Sequence, residues 1–311
     1  MNLKKIKFLG LALLFIVLLS ACGNKGENAK AEKGKEKLDK LSVQFVPSQN
    51  ADTLEAKAKP LEKLLSDELD IPVEVSVSTD YNTIIEAMAS EQIDVGFLPP
   101  TAYVLAKEKG AAEVLLQAQR YGVNDDGSPT EELVDSYKSI FIVNKGSGIE
   151  SVADLKGKKI GYQNVTSSAG FVWPAATLLE AGIHPLKDVE AVTLKGHDQA
   201  IISLLNGDVD AAVTFQDARN VVAKDYEDIF EKTRIIEFTQ PIPNDTIAVR
   251  PGIDEKMKKA ITDAFIAIGK DEETREIIQE IYSHEGYVES KDSNFDMVRE
   301  YEEKVSKEVE Q

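Results

Sequence analysis

The 311-residue sequence predicts an α/β fold built from two similar halves, and two observations lead to this prediction. Segments with strand-like apolar patterns alternate with segments that have apolar residues at helical spacing, as in sheets of parallel strands joined by helical crossovers. In addition, the passage 81–100 resembles the passage 197–217, because each has a polar start, a short amphipathic helix, a turn and a strand that ends at polar residues. Such a repeat indicates two domains built on one plan, with their strand ends facing each other across a cleft.

The elements of the first half follow from periodicity and from prolines and glycines. The run 41–46 is strand-like and is broken at Pro47, and the valines at 73, 75 and 77 alternate as in a half-buried strand. Two prolines end the next apolar strand, and Gly110 ends the helix that follows it. The predicted order is strand 41–46, helix 53–70, strand 71–79, helix 80–92, strand 93–100, helix 101–110 and strand 113–122.

The same alternation continues in the second half, after a polar loop at 125–135. The segment 151–164 is predicted to form a turn and a strand, and a helix with hydroxyl side chains at its start comes next. Beyond residue 251 the chain is strongly charged and is predicted to be helical, with Tyr282 and Phe295 as packing residues. The remaining predictions are strands at 137–144, 188–196, 209–216, 233–240 and within 241–251, and helices at 197–208 and 217–226.

The N-terminal region predicts export and a lipid anchor. A lysine-rich start precedes the apolar run Phe8–Leu19, which is too short to cross a bilayer as a mature helix. Small residues then lead directly to the single cysteine, so residues 1–22 are predicted to be a lipoprotein signal peptide with Cys22 as the lipidated residue. The alternative is an ordinary signal peptide with an incidental cysteine. Residues 23–40 are rich in Lys, Glu and Gly and are predicted to be a flexible tether.

The formal net charge of −18 argues against a nucleic-acid partner and against capture of anions by bulk charge. An anion site in this chain therefore has to use local neutral donors. Thr166, Ser167 and Ser168 are donors of this kind at a predicted helix start, where unpaired N–H groups also attract anions, so they predict an anion site. The alternative is that one of the three only caps the helix. Pro174 leaves open whether this helix starts near Phe171 or is kinked.

An ordered set of motifs links the chain to a known family. The stretches "SIFIVNKGSGIESVADLKGKKIGY", "TSSAG", "GHD", "NGDVDAA" and "IPND" follow one another as in the phosphonate- and phosphite-binding proteins of bacterial ABC importers, which the sequence resembles from residue 41 to about residue 295. The resemblance implies a bilobal periplasmic-binding-protein (Venus-flytrap) fold, two α/β lobes joined by two hinge strands. It implies lobe 1 at 41–139, lobe 2 at 140–245, a return to lobe 1 with C-terminal helices at 246–311, and hinge strands at Ile140–Val143 and Thr246–Val249.

The resemblance also implies further ligand-binding residues. Tyr81 and Tyr137 match positions whose phenols donate to phosphonate oxygens, although a partly buried tyrosine can also serve only in packing. His197 matches a histidine in "GSHD", although this chain lacks the serine, and as a donor it would be titratable in the physiological range. Asp217 and Asp245 match acids that contact a protonated ligand oxygen or an amino substituent. The alternatives are that Asp198 caps the helix beside an exposed His197, and that Asp217 is a helix cap or the partner of Arg219.

Enzymatic activity is the main rival class, and the sequence argues against it. Ser167, His197 and Asp217 are the residue types of a hydrolase triad, but the serine lacks the G-x-S-x-G elbow. Three scattered histidines and one cysteine give no metal-ligand spacing, and no cofactor motif is present, so neither a metal nor a cofactor is expected. His184 and His284 match no family position and are expected at the surface.

The sequence therefore predicts an extracytoplasmic substrate-binding receptor that is not an enzyme. It is expected to capture a small phosphonate, phosphite or methylphosphonate and to deliver it to an ABC permease and its ATPase, as a monomer held on the membrane of a Gram-positive bacterium through Cys22. The alternatives are a binding protein for phosphate or another small oxyanion, and a ligand-sensing lipoprotein of the same fold. The sequence leaves the exact ligand open.

Overall fold

The computed structural model describes residues 38–309, so the predicted signal peptide and Cys22 lie outside the described residues. In the first part of the described chain, strands and helices alternate as predicted. The strands are β1 (Leu41–Phe45), β2 (Val73–Val77), β3 (Val95–Leu98), β4 (Glu113–Val123) and β5 (Pro129–Val134), and the helices are α1 (Ala51–Ala58), α2 (Pro60–Leu69), α3 (Tyr81–Ala89) and α4 (Pro100–Glu108).

The second part continues the alternation and ends in longer helices. Its strands are β6 (Ser136–Tyr137), β7 (Ser139–Asn144), β8 (Lys159–Tyr162), β9 (Glu190–Thr193), β10 (Ala211–Phe215), β11 (Thr233–Phe238), β12 (Ile242–Pro243), β13 (Thr246–Val249) and β14 (Gly286–Glu289). Its α-helices are α5 (Trp173–Glu180), α6 (His197–Asn206), α7 (Arg219–Val222), α8 (Ile229–Lys232), α9 (Glu255–Lys270), α10 (Glu272–Tyr282) and α11 (Asp296–Val309).

Within residues 38–309 the strands form a seven-stranded sheet, a five-stranded sheet and one two-stranded pair. The first sheet has the order β14-β4-β13-β3-β1-β2, with β5 paired to β4, and the second has the order β11-β7-β10-β8-β9. In each sheet three parallel strands are followed by one antiparallel strand, which is β13 in the first sheet and β7 in the second. The sheets are therefore mixed, which corrects the expectation of wholly parallel strands.

The common strand order confirms the internal repeat seen in the sequence. The pair α3–β3 and the pair α6–β10 occupy the same place in their sheets, directly after the outer parallel strand. Both pairs lead from a helix start near one sheet edge to a buried strand. The α/β fold class predicted from periodicity is confirmed by these elements.

The predicted hinge strands are each one strand too far along the chain. Ile140–Val143 lies inside β7 of the second sheet, and Thr246–Val249 is β13 of the first sheet. The chain passes between the sheets just before each of them, at β6 and β12, which pair with each other in antiparallel register. Strongly apolar strands such as β7 and β13 are buried in sheets because burial of their side chains is favourable.

Several other elements differ from the predictions for local reasons. Pro60 starts a new helix, so the predicted helix 53–70 is divided into α1 and α2. The predicted polar loop contains β5, which pairs with β4, and the predicted C-terminal helical region contains β14. The hydroxyl run is followed by a π-helical turn, Ser168–Val172, and α5 begins at Trp173, so Pro174 lies in the first turn where its missing N–H costs nothing.

The core extends across both sheets. Trp173 is fully buried, its ring stacks on Tyr301 of α11 with centroids 4.7 Å apart, and its indole N–H donates to the carbonyl of Pro241. Phe295 is also fully buried, as predicted, and contacts the ring of Tyr103. Among the described residues there is no helix whose length and apolar character would allow it to span a bilayer.

Candidate functional site

A small cavity of about 50 Å³ lies where the carboxyl ends of strands from the two sheets meet. Residues after β1, β2 and β3 of the first sheet, residues after β8 and β9 of the second sheet, and the last residue of β10 contribute to its wall. This is the edge at which open α/β sheets bind ligands. Five of the eight predicted ligand-binding residues line it: Tyr81, Tyr137, Ser167, His197 and Asp245.

Tyr81 and His197 hold equivalent positions, since each is the first residue of the helix that follows an outer parallel strand. Asp80 caps α3 by accepting hydrogen bonds from the N–H groups of the second and third helical residues, which fixes Tyr81 at the helix start. Burial raises the pKa of the Tyr81 phenol, which therefore stays protonated and can donate a hydrogen bond.

His197 is buried, which excludes the alternative of an exposed side chain beside a helix-capping aspartate. Its backbone N–H donates to the carbonyl of Ser48 at 2.9 Å, and Asp198 accepts from the N–H of Asn50 at 3.1 Å, so both residues connect the two sheets. The Nδ1 atom of His197 lies 2.9 Å from the Thr214 hydroxyl. Burial lowers the pKa of His197 to about 3, so the imidazole is neutral at physiological pH, which corrects the expectation that it titrates there.

Of the three neighbouring hydroxyls, the structure brings only Ser167 to the cavity. Ser167 precedes the π-helical turn and its Oγ accepts from the N–H of Gly170 at 3.1 Å, which leaves the hydroxyl proton for another acceptor. Thr166 donates its hydroxyl to the side chain of Asn164 at 2.8 Å. The Ser168 hydroxyl lies 3.0 Å from the N–H of Thr101 and 2.9 Å from its Oγ1, and so links the sheets instead of lining the cavity.

Tyr137 and the buried ion pair of Arg120 with Asp217 form one wall. Arg120, in β4, donates to Asp217 after β10 at 2.5 Å, and the two side chains are 9% and 12% exposed. The guanidinium also lies 5.5 Å from the ring centroid of Tyr137. Arg120 lines the cavity but Asp217 does not, so the prediction that Asp217 contacts the ligand is not supported by its position. Its cationic partner is Arg120, not Arg219.

Asp245 is the carboxylate at the cavity. Its Oδ2 lies 3.6 Å from Nε2 of His284, and its Oδ1 is buried and has no hydrogen-bond partner in the described structure. His284 is buried, so the expectation of a surface position is wrong for this residue. Burial, together with the charge of Asp245, raises the pKa values of Tyr137 and Tyr287, so both phenols near this carboxylate stay protonated.

Sequence reasoning missed several lining residues, and the internal repeat could have found some of them. Ser48 and Gln49 follow β1 as the hydroxyl run follows β8, and both line the cavity. Tyr282 was expected only to pack, but it also lines the cavity, and its hydroxyl donates to the carbonyl of Val46 at 2.7 Å. No pattern in the sequence distinguished Arg120 within its strand. Residues 38–309 contain no cluster of three or more His, Cys, Asp or Glu side chains suited to hold a metal ion.

Two sheets of the same topology with a polar cavity at their facing strand ends define a two-lobed α/β fold. Solved structures share this fold. The chain is similar to a binding protein component of an ABC phosphonate transporter from Pseudomonas aeruginosa, with a TM-score of 0.75, 19% identity and 88% of each chain covered. It is also similar to PhnD1 from Prochlorococcus marinus in complex with methylphosphonate, with a TM-score of 0.74, 19% identity, and 86% of this chain and 99% of that chain covered.

The family follows from the sequence comparison. Residues 43–295 match the family model described as ABC transporter, phosphonate, periplasmic substrate-binding protein, and the chain belongs to that family. The chain is 29% identical over 209 residues to the phosphate-import protein PhnD of Mycolicibacterium smegmatis, which covers 64% of this chain and 62% of that relative, less than two thirds of its length. It is 23% identical over 245 residues to the phosphonates-binding periplasmic protein of Escherichia coli, with 78% and 70% covered. The predicted resemblance and bilobal fold are confirmed.

Proposed function

We propose that this protein is the extracytoplasmic receptor of an ABC importer and that it captures a small phosphorus oxyanion in the cavity. The proposal rests on one observation: several neutral hydrogen-bond donors and one carboxylate line the same cavity. Tyr81, Ser167 and His197 present a phenol, a hydroxyl and a neutral imidazole, and Asp245 presents an oxygen without a partner.

Neutral donors suit an anion in a chain of net charge −18, because they bind oxygen atoms without requiring a charged partner. They act together with Arg120, whose charge is already balanced by Asp217. Hydrogen bonds to a charged group contribute about 1.5–3 kcal/mol each, so three or four of them account for specific binding.

Asp245 supplies the selectivity. A carboxylate repels a fully deprotonated anion, but it accepts a hydrogen bond from a P–OH group or from an ammonium substituent. Phosphite, methylphosphonate and phosphate carry such a proton in their monoanionic forms, whereas sulfate has none to donate near neutral pH. The carboxylate therefore favours phosphorus oxyanions and excludes sulfate.

The size of the cavity limits the ligand further. One water molecule requires about 10–15 Å³ measured in the same way, so a cavity of about 50 Å³ fits an anion of about four or five non-hydrogen atoms. Phosphite, phosphate and methylphosphonate have this size, and phosphonates with long substituents do not fit without movement of the wall.

The importer and the anchor complete the proposal. A receptor of this family works with a permease and its ATPase and performs no chemistry on its ligand, and Cys22 provides the lipid attachment outside the cell. Replacement of Cys22 by Ser should release the protein into the medium, and retention at the membrane in this variant would contradict the anchor.

Calorimetric titration tests the ligand class. Protein freed of bound ligand by dialysis is titrated with phosphite, methylphosphonate, 2-aminoethylphosphonate, phosphate and sulfate. Micromolar or tighter binding of a small phosphorus compound, with no heat from sulfate, is the expected result. Absence of binding heat with every phosphorus compound would refute the proposal.

Phosphate is the second candidate. The name of the Mycolicibacterium smegmatis relative, a phosphate-import protein, favours it, and phosphate fits the same volume and donors. The two candidates differ in one substituent on phosphorus, which is a hydroxyl in phosphate and a hydrogen or methyl group in phosphite and methylphosphonate. The same titration ranks them directly.

A further inference from the structure

His284 is a buried titratable group directly behind the predicted anion site. It follows Ser283, whose left-handed backbone (φ 58°) ends α10 and turns the chain toward β14. This turn directs the imidazole inward, where it is 3% exposed. Its Nε2 lies 3.6 Å from Oδ2 of Asp245, and its Nδ1 lies 3.2 Å from the hydroxyl of Tyr287.

The groups around this pair are mostly neutral. The rings of Tyr282 and Tyr287 each lie 5.6 Å from the His284 ring, and burial raises the pKa of both phenols. Glu285, next in the chain, accepts from the side chain of Gln279 at 2.7 Å and lies 3.9 Å from Arg275.

On the cavity side, three titratable side chains keep their protonation state near neutral pH. Tyr81 and Tyr137 stay protonated, and His197 stays neutral, because all three are buried and their pKa values are shifted accordingly. Arg120 is paired with Asp217. His284 is the histidine in contact with Asp245 among the described residues, and histidine is the side-chain type best suited to gain or lose a proton under physiological conditions.

An anion that enters the cavity places a second negative charge beside the Asp245 carboxylate. The negative charges of the ligand and of Asp245 repel each other strongly where water is excluded. A proton on His284 offsets this repulsion and converts its contact with Asp245 into a charge-assisted hydrogen bond. Asp245 then keeps its free oxygen as an acceptor for the ligand.

We propose that His284 takes up a proton from solvent when the phosphorus oxyanion binds, so that the receptor binds its ligand together with a proton. The neutral imidazole carries its proton on Nε2, which lies 3.6 Å from Asp245, and accepts from Tyr287 at Nδ1. The added proton occupies Nδ1, and the Tyr287 hydroxyl rotates from donor to acceptor. His284 acts through Asp245, so it is a positioning residue. The inference rests on the proposed function of the cavity.

Calorimetry in buffers of different ionisation enthalpy counts the protons exchanged on binding. Methylphosphonate is titrated at about pH 7 into the wild-type protein, into His284→Gln and into the control His184→Gln, whose histidine contacts the backbone of Glu308 away from the cavity. Wild type and control are expected to take up more protons per ligand than His284→Gln, by a difference of up to about one proton where His284 is neutral in the free protein and protonated in the complex. Comparison with His284→Gln removes the protons exchanged by the ligand itself.

Two outcomes overturn the inference and leave the proposed function intact. One is equal proton uptake in wild type and His284→Gln, and the other is no uptake in the wild type despite tight binding. If His284→Gln does not fold, Tyr287→Phe replaces it. This variant removes the acceptor for the added proton, so the complex should lose that proton at a lower pH than the wild-type complex does. Loss of the proton at an unchanged pH would overturn the inference. Failure of wild type to bind any phosphorus oxyanion would instead refute the function itself.

Discussion

The buried ion pair between Arg120 and Asp217 joins β4 of the first sheet to the end of β10 in the second, and its removal should destabilise the fold. At an effective dielectric constant of about 20, two unit charges about 4 Å apart attract each other by about 4 kcal/mol. Removing one partner of a buried pair costs about 3–5 kcal/mol, because the other charge remains buried and unpaired. Since both side chains keep about a tenth of their exposure, we expect the lower end of this range.

Arg120→Met and Asp217→Leu should therefore each lower the free energy of unfolding by about 3 kcal/mol. The coupling between the two positions should be about 4 kcal/mol, the size of the electrostatic attraction between the two charges. The double variant should therefore lose at most about 2 kcal/mol, because no unpaired charge is left in it.

Urea unfolding measures these values when two probes report the same transition. The fluorescence of Trp173, the single tryptophan, follows the packing near the second sheet, and far-UV circular dichroism follows the whole chain. Lys304→Met is the control, since Lys304 and Glu180 form an exposed pair (43% and 56% exposed) that should contribute at most about 1 kcal/mol. If the single variants lose no more unfolding free energy than the control, the ion pair does not stabilise the fold. If the double variant loses the sum of the two single losses, the two charges are not coupled.

Three further predictions address the cavity. Ser167→Ala should weaken anion binding by about 1.5–3 kcal/mol, while Thr166→Ala should leave the dissociation constant unchanged. Calorimetry that shows the larger loss for Thr166→Ala would contradict the assignment of the two hydroxyls. Gly196→Ala should weaken binding because its methyl group would clash with Oδ1 of Asp198 and lie 3.1 Å from the Cα of Gln49, which disturbs the contact between the sheets; unchanged affinity would show that this close approach is not needed. Because burial lowers the pKa of His197 to about 3, the unfolded chain binds a proton that the folded chain does not, so folding stability should fall as the pH drops below about 6.5. His197→Asn should flatten this part of the stability profile measured by urea unfolding, and an unchanged profile would show that His197 is not the group responsible.

The sequence predicted the repeated α/β plan because strand and helix periods are imposed by burial against a core. The elements that it missed pair with a distant strand, and this pairing is not visible in the local pattern. In β5 (Pro129–Val134) most side chains are exposed, and the strand forms because β4 extends beyond the core and offers a partner. Similarly, Gly286–Glu289 is a short strand in a charged region, paired along β4.

The predicted residues line the cavity where their side chains follow directly from a strand end, as for Tyr81 and His197. The agreement between predicted and lining residues is poorer where backbone geometry selects among neighbours. The turn before the π-helical segment directs Ser167 to the cavity, Thr166 to Asn164 and Ser168 to Thr101, and spacing alone does not distinguish them. Arg120 reaches the cavity, and His284 reaches Asp245 behind it, only through tertiary packing. Arg120 lies within a long strand and His284 lies after a helix, and neither location suggests a site.

A crystal structure of the complex with the phosphorus oxyanion that binds most tightly in calorimetry would locate the ligand. We expect an anion in the cavity, with its oxygen atoms about 2.5–3.2 Å from the Tyr81 hydroxyl, the Ser167 Oγ and the His197 Nε2. We also expect one ligand oxygen within the same distance of Asp245. An anion bound elsewhere, or bound in this cavity without contact to these side chains, would show that the proposed site is wrong.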